Sequence, residues 1–125
     1  MNENDIGDII IDTAVNMHIR LGPGLFESVY EAILFDQLSK KGLDVKRQVS
    51  VPIIFEGKHF DEGFRVDLLV QGKVIIELKS VDKVIPVHKK QLITYLKLSN
   101  KKLGYILNFG AEIMKDGITR IVNNL

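Results

Sequence analysis

The chain contains no cysteine, which excludes a disulfide, a thiol nucleophile and a thiolate metal site. It also lacks any apolar run near the ~20 residues that a membrane span requires. The opening "MNENDIGDII" is acidic where a signal peptide would be basic. A cytoplasmic address without membrane contact is therefore expected. Net charge is nearly absent too, at +1, so overall electrostatics does not mark a nucleic-acid binder. No repeat, low-complexity tract or linker interrupts the 125 residues, and residues 1–125 are expected to form one domain. With 46% hydrophobic and 26% charged residues, the composition is that of an ordinary globular chain.

The charge that is present is unevenly placed. Between Lys79 and Lys102 stand seven lysines (Lys79, Lys83, Lys89, Lys90, Lys97, Lys101, Lys102), opposed there only by Asp82. The first dozen residues carry Glu3, Asp5, Asp8 and Asp12 and no Lys or Arg. A neutral total can thus hide a basic face able to meet phosphates, although a solvated helix with lysines on its outer side gives the same pattern.

Hydrophobic spacing orders the elements. Ile6, Ile10, Ala14, Met17 and Leu21 predict a first helix over about Asp5 to Leu21, ended by Gly22-Pro23-Gly24. A second is predicted from about Leu25 to Lys41, with Val29, Ile33 and Leu38 as its core stripe and Gly42 as its stop. β-Branched runs follow in "VKRQVSVPIIF", "FRVDLLV" and "KVIIELKSV", with turns at "EGK" and Gln71-Gly72. Pro86 opens a third helix to about Asn100, and "KLGYILNFG" is a further strand. "GITRIVNN" suits either a last strand or a short helix. This order predicts an α/β fold, a mixed sheet flanked by helices.

The hairpin "FRVDLLVQGKVIIELKS" carries the chemistry. Alternation puts Val66, Leu68 and Val70 on one side of the first strand and Val74, Ile76 and Leu78 on one side of the second. Arg65, Asp67, Glu77 and Lys79 then share the other side. An odd-numbered loop or a bulge aligns the two apolar sets and sets Asp67 opposite Glu77. Facing carboxylates repel unless something neutralises them. A divalent cation such as Mg²⁺ takes one or two carboxylates plus water and phosphate oxygens, and the Leu78 carbonyl offers a third protein oxygen. Lys79 could orient an attacking water. Cross-strand ion pairs from Lys79 or Arg65 would explain the same pattern without chemistry.

Asp67 and Glu77-Leu78-Lys79 resemble, in type and spacing, the PD-(D/E)xK nuclease superfamily, with Val66 in the place of the usual proline. "HIRLGPGLFESVY" is similar to the signature of a small family named for its G-x-x-E-x-x-Y motif, here Gly24, Glu27 and Tyr30. "RVDLLV", "IIELKSV", "HKKQLITYLK" and "ILNFG" resemble its later blocks in order, from about Ile6 to Val122. The resemblance implies a restriction-endonuclease-like α/β/α sandwich around a central mixed sheet. It implies metal-binding acids at Asp67 and Glu77, a catalytic lysine at Lys79, and Glu27 and Gln91 completing the site. It implies hydrolysis of DNA phosphodiesters with Mg²⁺, for which Mn²⁺ can substitute. Lys83, Lys89, Lys90, Tyr95 and Lys97 are the expected nucleic-acid contacts, and a homodimer would reach both strands. A nucleic-acid-binding or regulatory module without turnover is the competing reading. Glu27 also suits a helix dipole, and the His88, Gln91 and Tyr95 stripe suits ordinary packing. His18 is expected to cap or pack rather than to ligate metal, and Tyr30 to pack or to hold Glu27 in place.

Overall fold

In a computed structural model describing residues 1–125, the chain begins with helix α1, Glu3–Leu21. Its start is closed by Asn2 and Asp5: the Asn2 side chain accepts from the Asp5 N–H at 2.8 Å, and the Asp5 carboxylate accepts from the Asn2 N–H. Ile6, Ile10, Ala14 and Met17 form its buried row, and the helix stops at Gly22, whose φ of 69° favours glycine. Helix α2 spans Glu27–Lys40. Its buried row is Tyr30, Leu34 and Leu38, a strict four-residue repeat, with Glu31 beside it. This corrects the stripe expected from sequence, because Val29 is exposed and Ile33 only half-buried.

Strands β1 (Val45–Phe55), β2 (Lys58–Val70) and β3 (Val74–Lys79) follow, then α3 (Pro86–Ser99), β4 (Leu103–Asn108), the single turn α4 (Met114–Gly117) and β5 (Ile118–Val122). The undecided C-terminal segment is thus mainly a strand. The sheet order is β1-β2-β3-β4-β5, antiparallel except for the β3–β4 pair. The parallel pair requires a crossover, which α3 supplies.

Helices cover both faces. Leu68, Val70, Val74, Ile76, Leu78, Leu103 and Leu107 join α1 and α2 in the larger core. Ile75 and Ile106 join Leu92 and Leu96 of α3 in the smaller one. Nearly every residue of β3 and β4 is buried, as expected of central strands covered on both sides. No helix is long and apolar enough to cross a membrane.

One facial assignment from sequence is overturned. Val66 belongs with Phe64 and Val51 to the α3-side core, whereas Leu68 and Val70 face α1 and α2. The change of side falls at Asp67, opposite which Gln48 adopts a φ of 49°. The β1–β2 ribbon turns over at this pair and runs on as an arm against α3.

Candidate active site

The β2–β3 turn is Gln71-Gly72-Lys73, three residues long, with Gln71 and Gly72 at positive φ. An odd loop fixes the register in which Val70 faces Val74 and Leu68 faces Ile76. One step further, Asp67 stands across from Glu77. There the ladder ends, and the Asp67 carboxylate rather than a main-chain oxygen accepts the Leu78 N–H, at 2.8 Å.

Glu77 occupies the opening. Its Oε1 is buried and has no hydrogen-bond partner. Its pKa is pushed up to about 8, first by burial, then by the adjacent Asp67 charge and by a side-chain hydrogen bond to Asp67, against a smaller opposing pull from Lys79. Glu31 adds to the upward push. A neutral, partly unsatisfied buried carboxyl beside a second acid is a costly arrangement for stability alone and a common one at functional sites.

Lys79 shares the α3-facing side of β3 with Ile75 and Glu77 by alternation, and it is half-buried. It forms no ion pair with any carboxylate, and neither does Arg65. The structural alternative offered by the sequence, a cross-strand salt bridge neutralising the acids, is therefore not what the fold builds.

A second carboxylate supports the first pair from α2. Glu31, almost fully buried, accepts from Arg47 Nε at 3.0 Å and from Gln48 Nε2 at 2.6 Å. The same Gln48 amide reaches Asp67 Oδ1 at 3.2 Å. One amide thus bridges two acids, so both Asp67 oxygens are engaged. Glu31, Arg47 and Gln48 were missed from sequence. The available signal was Glu31 lying one helical turn beyond Glu27 on the same helix face.

The other expected residues fall around this centre. Glu27 sits exposed at the start of α2, and its carboxylate accepts from the Ser80 N–H at 3.3 Å rather than bonding to Asp67 or Glu77. Tyr95 stacks on Phe64 with ring centroids 3.9 Å apart. Its hydroxyl pKa is raised by burial and by the charge of Glu77, which places α3 beside the acid pair. Gln91 is exposed one turn earlier on α3 and makes no protein hydrogen bond, while His88 turns back to accept from the Ile85 N–H. Lys83, Lys89, Lys90 and Lys97 are exposed. Lys83 and Lys89 share a hollow of about 380 Å³ with Asp82, Glu112 and Asp116, so the fold offsets part of the basic run with acids from elsewhere in the chain.

Tyr30 is a structural residue. Its hydroxyl donates to the Gly22 carbonyl and accepts from the Leu25 N–H, while its ring stacks on Phe109 at 4.4 Å. His18 is buried against the Phe109 carbonyl at 3.1 Å. On the other side of the site, Asn108 clamps the chain after β3: it accepts from the Val81 and Gly110 N–H groups and donates to the Val81 carbonyl. A side chain on Gly110 would collide with Val81, so glycine is needed for that close approach.

No three Asp, Glu or His side chains converge closely enough to hold a metal ion on their own. The donor set at Asp67 and Glu77 still fits a hard cation, since the buried Glu77 oxygen lacks a partner and its neighbour is an acid.

A three-layer sandwich that gathers two acids and an unpaired lysine where its mixed sheet opens is a restriction-endonuclease-like architecture. The chain belongs to the PD-(D/E)XK nuclease superfamily, whose family model matches residues 4–121. No curated protein and no solved structure matches the chain.

Proposed function

We propose that this protein is a divalent-metal-dependent nuclease of the small G-x-x-E-x-x-Y branch, hydrolysing DNA phosphodiester bonds. The observation that carries the reading is the partnerless buried oxygen of Glu77, set beside Asp67 and near an ammonium group that no carboxylate neutralises.

Asp67, Glu77 and the Leu78 carbonyl would hold Mg²⁺ or Mn²⁺, with Glu27 reaching it directly or through water. The position of Leu78 supports this, because its N–H is turned toward the gap where β2 has peeled away, and strand alternation turns its carbonyl to the same edge. A bound cation would offset charge on the phosphate and make water more acidic. Lys79 holds the attacking water by one lone pair and stabilises the phosphate oxygens. The water oxygen bonds to phosphorus and its released proton passes to bulk solvent, while the ester P–O bond breaks and the leaving oxygen takes a proton from solvent. Gln91 orients the phosphate from α3. Lys83, Lys89, Lys90, Lys97 and Tyr95 contact the rest of the strand.

Labelled single-stranded, duplex and branched DNA, incubated with Mg²⁺ or Mn²⁺, tests the proposal. Wild-type protein should give products and Lys79→Ala far less; equal cleavage by both removes the mechanism.

One observation favours a second reading, a binding module without turnover. Both oxygens of Asp67 already have protein partners, Gln48 and Leu78. Such a module would show salt-dependent DNA binding, lost on charge reversal at Lys89 and Lys90, and would yield no metal-dependent products.

A further inference from the structure

Phe26 is the most exposed large apolar side chain of the protein, at 82%. An exposed aromatic needs no explanation in general. Its mooring does. On one side of it the Leu25 carbonyl accepts from Ser80 Oγ at 2.8 Å, and on the other the Glu27 carboxylate accepts from the Ser80 N–H. Both neighbours of Phe26 are thus tied to the residue that follows Lys79. The ring is held out at the rim of the candidate active site by a loop the site itself anchors.

Beside the ring lies an open hollow of about 610 Å³ lined by Gly24, Leu25, Phe26, Glu27, Ser28 and Ser80. Gly24 and Ser28 leave space next to the ring, while Glu27, Ser28 and Ser80 offer hydrogen-bonding groups around it. A flat aromatic face with Leu25 beside it and the polar groups of Glu27, Ser28 and Ser80 at its edge suits a flat ligand with polar edges. It does not suit an apolar protein face, which would bury Glu27 at a cost. Ser80 directly follows Lys79, so its two bonds to Leu25 and Glu27 set the ring next to the end of the strand that carries Glu77 and Lys79.

We infer that Phe26 is a stacking platform for an unpaired nucleobase next to the cleaved phosphate, which makes single-stranded or locally opened nucleic acid the preferred substrate. The inference rests on the nuclease proposal and names its substrate class. A base in a closed duplex hides both faces in its stack, so only an unpaired or flipped base can lie on the ring.

The chain has no tryptophan, so Phe26→Trp introduces a single fluorophore at this position. Binding is measured in EDTA, where no metal-dependent cleavage intervenes, to oligo(dT), to an abasic strand with the same number of phosphates, and to a duplex. Phe26→Ala should weaken oligo(dT) binding roughly 5- to 100-fold and leave abasic-strand binding unchanged. Phe26→Trp should retain binding, with fluorescence quenched by oligo(dT) and not by the abasic strand. Equal dissociation constants for wild type and Phe26→Ala, or no quenching, overturn the inference. So does a Phe26→Ala effect confined to self-association, which would make the ring a contact with a second copy. Failure of the nuclease proposal reads differently: no product from wild type with Mg²⁺ or Mn²⁺, whatever the stacking result in EDTA.

Discussion

Asp67 and Glu77 face each other at the point where β2 and β3 cease to pair, and Asp67 takes the Leu78 N–H that the ladder no longer serves. The two acids are therefore held together by main-chain geometry and not by a mutual ion partner. Burial and the neighbouring negative charge keep Glu77 largely protonated near neutral pH. A cation would release that proton, so metal affinity and pH are coupled at this position.

Removing the ammonium group isolates its role. Lys79→Ala should lower metal-dependent cleavage by about 10²–10³-fold, the usual effect of losing one stabilising donor at a reacting centre. Because Lys79 forms no ion pair, the melting transition should barely move. A large loss of stability in calorimetry would show that the lysine serves the fold instead.

The Glu77 carboxyl gives the metal-free protein a distinctive pH profile. Its folded pKa of about 8 lies above the unfolded value of 4.5, so the folded state binds the extra proton between those limits. Stability should fall as pH rises through that window. Glu77→Gln should flatten the profile and stabilise the metal-free protein above pH 8 by on the order of 2–4 kcal/mol, measured by urea unfolding at several pH values. A wild-type profile that rises over the same window would contradict the burial of this group.

Gln48 tests the support behind Asp67. Its amide donates to both Asp67 and Glu31, and is one of two side-chain donors to Glu31. Gln48→Leu should cost about 1–3 kcal/mol in denaturant unfolding, because two acids lose a shared partner. It should also weaken metal binding, read by calorimetric titration. Unchanged values for both would remove Gln48 from the site.

Tyr30→Phe separates packing around α2 from the chemistry. Losing the hydroxyl leaves the Gly22 carbonyl and Leu25 N–H without their partner, and about 1–2 kcal/mol of stability should go with it. Cleavage at saturating metal, below the melting transition, should persist. Abolished cleavage in a well-folded variant would give Tyr30 a direct part in the reaction.

Much of the site was legible because a strand has period two. The parity of Asp67, Glu77 and Lys79, and the alignment of Leu68 and Val70 with Val74 and Ile76 on one core, called for an odd-numbered turn or a bulge, and the three-residue turn supplies it. Helix faces were less secure. Val29 and Ile33 are as apolar as Leu34, and nothing local says which stripe meets the sheet; packing beside α1 turned α2 so that Tyr30, Leu34 and Leu38 went inward. Glu31 went unrecognised because its importance comes from Arg47 and Gln48, residues on a strand that only the fold brings near.

The sequence by itself determined the order of helices and strands, the mixed sheet and the alternation that puts Glu77 and Lys79 on one side of β3, because each follows from spacing within a few residues. Only the tertiary structure decided where the ribbon turns over at Asp67 and Gln48, which helix acid stands behind the pair, and how Glu112 and Asp116 offset the lysines after β3. Those relations join residues distant along the chain, and their energies depend on burial and on the charges that folding brings near.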